Sequence, residues 1–343
     1  MKTIRSLLAA IGCAVLALTG VLIAPSSASA DTVTRVTAPQ LRFTSYNICG
    51  NMCGDPNYYD NQRRIDQVVA EASADVWGAD QIFLSEVCRS QYDAILAKLA
   101  PKGFNGLYTA TLSGYPTICH GSDYGMAVFV KGPALETTVL DLTQGGETEP
   151  IKNPCIKSRL QGRITWSCSI HLYWSASPTL RDAEARELAA QAKAWEDAGI
   201  PVVLGGDFNA PPTSTMASYF YEPALGGGAK GTMIEVDETD RDYFTPACVS
   251  AEVSQCRSGQ DSKDGGKIDY VFLSAKYFAN PEADVLPMDT EVSDHKLLRG
   301  TATWKHCGQT TGSLSGQAAG DDLDRDAGSP TGISAALCKG GGF

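Results

Sequence analysis

The chain is expected to be an α+β protein built on mixed β-sheets covered by helices. Three observations lead there. Short alternating or fully apolar runs, each of strand length, recur along most of the sequence. Two longer stretches carry the i, i+3, i+4, i+7 apolar stripe of an amphipathic helix. Strands and helices alternate irregularly, with several strand-to-strand steps, which disfavours a regular doubly wound sheet.

Leu41 to Ile48 alternates apolar and polar residues and reads as a strand with Asn47 at its end. Ile65, Val68, Val69 and Ala72 then line one helical face. Gln81 to Glu86 is a short buried strand that delivers Glu86 at its C-terminal end, with a helix from Gln91 to Leu99 stopped by Pro101. Tyr124 to Val130 and Ile164 to Leu172 are two further strands, the second carrying His171. The clearest helix runs from Pro178 to Ala198, with Ser177 as N-cap, Pro178 at N1, and Gly199 and Pro201 ending it. Val202 to Leu204 is a strand that presents Gly205-Gly206-Asp207-Phe208-Asn209; Ile268 to Leu273 and Leu298 to Trp304 complete the set.

Composition sets the boundaries. The chain has 343 residues, 43% hydrophobic and 20% charged, as in an ordinary globular protein. Lys2 and Arg5, the apolar run Leu7 to Ile23 and the small-residue site Ala28-Ser29-Ala30 form a secretory leader. Pro25 and the cleavage site argue against a membrane anchor. Residues 1–30 are therefore expected to be removed, residues 31–305 to form the folded domain, and the Gly/Ser/Asp-rich residues 306–343 to form a loop-like tail. Asp322, Asp324 and Asp326 in that tail alternate as in a calcium loop, but Ile333 stands where the closing glutamate belongs.

The formal net charge is −11, and loss of Lys2 and Arg5 with the leader takes it to −13. Such a surface gives no long-range attraction to nucleic acid or anionic lipid, and so excludes a tight electrostatic binder. It leaves room for a hydrolase that draws phosphate in through a bound cation. Of eleven cysteines, Cys13 lies in the leader. The remaining ten, in an exported chain, suggest up to five disulfides, the simplest pairing being 49–53, 88–119, 155–168, 248–256 and 307–338.

The residues with chemistry gather at strand ends. Asp207 and Asn209 sit two apart in a glycine-framed turn, where a carboxylate beside an amide can orient a water and hold a phosphate oxygen; an Asx turn is the alternative. Asp294-His295 places a metal-capable carboxylate beside an imidazole, and Asp269 ends another apolar strand where it could orient His295. Glu86, leaving an apolar strand, is expected to be nearly fully buried, which favours a cation ligand over an idle carboxylate.

In order, Ser45-Tyr46-Asn47, Ser85-Glu86-Val87, Ser169-Ile170-His171-Leu172, Gly206-Asp207-Phe208-Asn209 with Lys267-Ile268-Asp269-Tyr270, and Ser293-Asp294-His295 resemble the motifs of the endonuclease/exonuclease/phosphatase superfamily, across Leu41 to Lys305. The resemblance implies a four-layer α/β/β/α sandwich of two mixed β-sheets flanked by helices. It implies a metal-dependent phosphoric ester hydrolase using in-line attack of water. Glu86, with Asn47 and Asp294 nearby, would bind Mg2+, with Mn2+ or Ca2+ as alternatives. Asp207 would orient or deprotonate the water, Asn209 would contact the scissile phosphate, and Asp269 would pair with His295 to stabilise the transition state. His171 would be a second phosphate ligand or the leaving-group acid, with Asp123 a candidate partner. Ser85 departs from the glutamine usual before the metal-binding glutamate.

Histidine at position 171 resembles the deoxyribonuclease I and sphingomyelinase branches, so a secreted nuclease acting on DNA is the expected function. The alternatives are a sphingomyelinase-type phospholipid phosphodiesterase docking on membrane lipid through an apolar hairpin, a phosphomonoesterase, and an inactive binding or toxin module. The expected partner is a phosphodiester substrate, nucleic acid first; a stable protein partner is not expected, and the protein should be a monomer. Substrate choice is assigned to the loops Gly50 to Asn61, Gly114 to Ser122 and Thr143 to Ser158.

Overall fold

The computed structural model describes residues 33–53 and 62–305. The leader, the tail with Cys307 and Cys338, the aspartate run at 322–326 and most of the 50–61 loop lie outside the described residues.

Strands occupy β1 Leu41–Asn47, β2 Gln81–Cys88, β3 Phe104–Leu112, β4 Tyr124–Lys131, β5 Ala134–Asp141, β6 Lys152–Leu160, β7 Arg163–His171, β8 Val202–Asp207, β9 Met233–Glu235, β10 Asp269–Ser274, β11 Phe278–Val285 and β12 Leu298–Trp304. The helices that matter here are α1 Gln62–Glu71, α2 Arg89–Leu99, the single turn α3 Pro116–Cys119, and α4 Pro178–Asp197. One sheet has the order β11-β12-β1-β2-β4-β3 and the other β5-β6-β7-β8-β10-β9. Each sheet holds a parallel pair, β1 with β2 and β7 with β8, joined through α1 and α4 respectively; the other pairings are antiparallel. The sheets are mixed, as the irregular alternation of elements predicts.

Three apolar layers follow from the period-2 alternation of side chains along a strand. Phe43, Phe83, Val128, Ile156, Val203, Val271 and Leu298 fill the space between the two sheets. Ile82 and Leu84 point the other way, onto Ile65 and Val68 of α1 and Ile95 and Leu99 of α2. Ile170, Leu204 and Phe272 point outward from the second sheet onto Ala185, Leu188 and Ala192 of α4. Helix, sheet, sheet and helix are thus stacked as the resemblance implies.

The same parity positions the site. Asn47, His171, Asp207 and Asp269 share their strand's inward-facing parity with Phe43, Ser169, Val203 and Val271 respectively, and each is the terminal residue of its strand. Register places His171 beside Asp207, and Asp207 beside Asp269. All four therefore emerge at one end of the inter-sheet layer.

Two glycines let the sheets close there. A Cβ on Gly205 would lie 2.2 Å from the Phe83 ring of the facing sheet. A Cβ on Gly206, at φ 151°, would lie 1.9 Å from the Ile170 carbonyl oxygen, which backbone cannot relieve. Gly206→Ala is expected to cost more than about 3 kcal/mol, measured by urea unfolding; a cost under 1 kcal/mol would show that the β7–β8 pair is less closely packed than described.

Several local expectations change. Ser177 makes no side-chain cap to α4, although Pro178 does sit at its N-terminus. Lys152 to Ser158, read from sequence as loop, belong to β6, because Cys155 and Cys168 are directly paired across β6 and β7. Gly114 to Ser122 contains α3, tied to the end of β2 by Cys88–Cys119. Four of the sequential disulfides form: 49–53, 88–119, 155–168 and 248–256. No helix among the described residues is long and apolar enough to cross a membrane.

Candidate active site

Asp269, His295 and Asp207 form the core of the site. The Asp269 carboxylate lies 2.8 Å from His295 Nδ1, which fixes the proton on that nitrogen and turns Nε2 towards the cleft. Asp269 is held in turn by its backbone N–H donating to Ser262 Oγ. Asp207 Oδ2 lies 3.5 Å from His295 Nε2 and 3.7 Å from His171 Nε2, while its Oδ1 accepts from the Asn209 backbone N–H at 2.9 Å. Burial pushes the Asp207 pKa above the usual carboxylate range, and the nearby Asp269 adds to the rise.

Burial opposes a charge on His295 more than any other single influence. The Asp269 and Asp207 carboxylates together outweigh it, and the pKa is raised to about 9. Lys263 Nζ lies 2.9 Å from the same Nε2. A lysine ammonium can only donate, so that contact belongs to the neutral imidazole; once His295 is protonated, Lys263 must rest on Asp294 alone, which it already holds at 2.7 Å. The folded pKa exceeds the histidine reference of 6.5. The stabilisation it brings is therefore full below pH 6.5 and is lost as pH rises through about 9. In chelator, the stability gap between wild type and His295→Ala should shrink over that window, and a gap constant across it would contradict the ion-pair assignment.

Asn47 ties the two sheets together. Its Nδ2 donates to Glu86 Oε1 at 2.8 Å and to Asp207 Oδ2 at 3.2 Å, and its Oδ1 accepts from the Cys49 backbone N–H at 2.9 Å. This network settles the orientation of the amide: nitrogen faces the carboxylates. Glu86 is only partly buried, contrary to the sequence expectation. A register shift in β2 after Leu84 and a left-handed φ of 55° lift its side chain out of the sheet. Asp207 and Asn209 form the Asx turn given as the alternative, the Asn209 backbone N–H bonding Asp207 Oδ1. At φ 53° Asn209 curls so that Nδ2 donates to the Leu172 carbonyl at 2.9 Å, leaving its second hydrogen for a ligand.

His171 is held by its backbone N–H, which donates to Asn153 Oδ1 at 2.8 Å, and its Nε2 is buried without a hydrogen-bond partner. Asp123 is not its carboxylate: Asp123 Oδ1 accepts from the Gly114 backbone N–H and closes the loop after β3. Besides Asp207, Glu149 lies near enough to feel His171: burial raises the Glu149 pKa and the nearby His171 lowers it.

Glu149, Asn153, Tyr124 and Lys263 are absent from the sequence-based site. Tyr124 lies near Glu86, and burial, with the Glu86 charge next, pushes its hydroxyl pKa well up. Its signal was its place at the start of β4, opposite Cys88 in the strand that carries Glu86. Lys263 gave less: a Ser-Lys-Asp-Gly-Gly turn just before Lys267-Ile268-Asp269. Its backbone forms a bridge to His295.

Atoms of Asp207, Asp269 and His295 lie within 4.8 Å of one another, as do those of Cys49, Cys53 and Asp294. In the first group the Asp269–His295 bond occupies the donors; in the second the sulfurs are joined in a disulfide. By donor type, the carboxylates of Glu86 and Asp294 suit a hard divalent cation better. One cation is already held there: Lys263 Nζ lies 2.7 Å from Asp294, and burial lowers its pKa while Asp294, with Asp207 and Glu86, raises it further.

The endonuclease/exonuclease/phosphatase family profile matches residues 44–295, which spans every residue of the site. A search of curated proteins gives no match. Among solved structures, the chain resembles an endonuclease/exonuclease/phosphatase from Bacteroides vulgatus at 18% identity and TM-score 0.54, over 77% of this chain and 99% of that one. It also resembles the human Nocturnin catalytic domain, at 17% identity and TM-score 0.55, over 77% and 94%. A third, an endonuclease/exonuclease/phosphatase from Beutenbergia cavernae, aligns at 20% identity and TM-score 0.54, over 77% and 71%. At these identities the structures show a common fold. With the profile covering most of the chain and the ordered strand-end motifs meeting in one cleft, the protein belongs to the endonuclease/exonuclease/phosphatase family, a family of phosphoric ester hydrolases.

Proposed function

We propose that the protein is a secreted, Mg2+-dependent phosphodiesterase whose substrate is nucleic acid, DNA first. One observation carries the reading: two histidines flank a single buried carboxylate. Asp207 lies 3.5 Å from His295 Nε2 and 3.7 Å from His171 Nε2. A phosphodiester needs a base for water, a cationic partner for charge developing on phosphoryl oxygen, and an acid for the departing alkoxide.

Asp207 is the group to take the proton from water, and its raised pKa makes it a stronger base than an exposed aspartate. Asn209, through its remaining Nδ2 hydrogen, holds a phosphate oxygen. His295, kept cationic by Asp269, donates to the oxygen on which charge accumulates. His171, with a buried and unpartnered Nε2, is placed to protonate the leaving group, with Glu149 nearby. Asn47 keeps Glu86 and Asp207 in fixed relation. Glu86 and Asp294 would hold the Mg2+, which when bound supplies charge neutralisation at a phosphoryl oxygen.

Export is supported by the leader-like N-terminus and by four disulfides among the described residues. The lipid alternative receives less support. The insertion at Gly226 to Met233 carries no exposed large apolar side chain, whereas docking on a membrane needs an apolar surface. Parallel assays on duplex DNA, sphingomyelin vesicles and a phosphomonoester test the reading. DNA cleavage alone supports it; lipid or monoester hydrolysis without DNA cleavage replaces it with that activity.

A further inference from the structure

Among the described residues, Lys263 is a cation that reaches into an otherwise anionic cleft from outside the recognised motifs. Its turn is well anchored. The Lys296 backbone N–H donates to the Ser262 carbonyl at 2.7 Å, and Ser262 Oγ accepts from the Ile268 and Asp269 backbone N–H groups at 3.0 and 2.9 Å. The side chain is not equally fixed. It is 38% exposed, and the tip of its turn, Gly265 and Gly266, has open space around both α-carbons. Nζ sits 2.7 Å from Asp294 Oδ2 and 2.9 Å from His295 Nε2, with Asp207 and Glu86 near enough to interact with its charge.

A divalent ion on Asp294 opposes the ion pair with Lys263. An ion there competes for the same carboxylate, and its charge repels the ammonium. A phosphodiester bound in this cleft would bring further anionic oxygens within its reach, and a lysine ammonium on a flexible stem is a compact charge suited to phosphate.

We propose that Lys263 is a displaceable cation of the centre: it occupies Asp294 until a divalent ion takes that carboxylate, and it then becomes a ligand to a non-bridging oxygen of the substrate phosphate. This rests on the phosphodiesterase reading above. It makes an unusual pairing of predictions for one residue, because removing Lys263 should improve ion binding while impairing hydrolysis.

The test compares wild type, Lys263→Met and Lys263→Arg, each confirmed folded by thermal melting. Mn2+ affinity is measured by calorimetry on chelator-treated protein, and duplex DNA cleavage is measured separately. Lys263→Met should bind Mn2+ about fivefold more tightly, since a part-exposed ion pair no longer competes. It should lose about 100-fold in kcat/KM, with Lys263→Arg recovering part of that loss. Unchanged or weaker ion binding by Lys263→Met overturns the displacement, and unimpaired hydrolysis overturns the phosphate contact. If ions bind wild type and variant equally, this proposal alone fails. If no ion binds either protein, the metal reading fails and takes this proposal with it.

Discussion

His295→Ala is expected to lower kcat for phosphodiester hydrolysis by about 10³- to 10⁴-fold while leaving the protein folded, the range associated with losing a positioned acid–base group together with its electrostatic role. The size follows from how many partners the imidazole has. Asp269 bonds Nδ1 at 2.8 Å, and Asp207, Asn47 and Lys263 surround Nε2 at 3.5, 3.4 and 2.9 Å. No other side chain in the described cleft carries a charge so fully determined by two buried carboxylates. The fold should survive because the apolar layers are built from other residues, and the 286–297 loop keeps its independent clamp: Arg64 donates to the Val292 carbonyl at 2.7 Å. A folded variant retaining more than a tenth of wild-type activity would remove His295 from the chemistry.

Asp207→Asn should cost about 10³-fold in kcat, with little change in stability. Two effects on folding oppose each other. The amide removes a buried carboxylate whose ionisation burial already disfavours. It also places an N–H2 against the Asn47 amide, which at present donates to Asp207 at 3.2 Å. Tm is therefore expected to move by less than about 4 °C. A second readout separates this from a merely structural effect. Asp207 is one of the carboxylates that raise His295, so the His295 ring in Asp207→Asn should titrate below the value of about 9 expected of wild type. If activity falls and the His295 titration stays put, Asp207 is not electrostatically joined to the centre.

The parts of this molecule that were legible in the sequence are those whose pattern and burial agree. β1, β2, β8 and β10 are runs with every or nearly every residue buried; β1 and β8 end on Asn47 and Asp207, β10 begins on Asp269, and β2 carries Glu86 near its end, polar groups that could not remain inside unpartnered. Their order supplied the architecture. The strands missed are those whose pattern disagrees with their role: β3, β5, β9 and β11 are the four edge strands, β11 with Asn280-Pro281 beside a register shift, and β6 contains Pro154. The site divides in the same way. Asn47, His171, Asp207 and Asp269 could be placed because strand parity carries them to one end of the sheets. Glu86 and Asn209 were found but mis-oriented, since both adopt left-handed backbone that no alternation pattern signals. Lys263 and Glu149 reach the cleft from loops, Lys263 from 32 residues before His295, and only the folded chain brings them there.

The central claim is that this centre hydrolyses phosphodiesters with the help of a divalent ion. The most direct measurement uses an activated diester with no recognition elements, bis(p-nitrophenyl) phosphate, so that substrate preference does not intrude. The mature protein should release p-nitrophenol in Mg2+, stop in excess chelator and recover when Mg2+ is restored. Undiminished hydrolysis in chelator, or none with Mg2+ by a folded protein that also leaves DNA intact, would contradict the account.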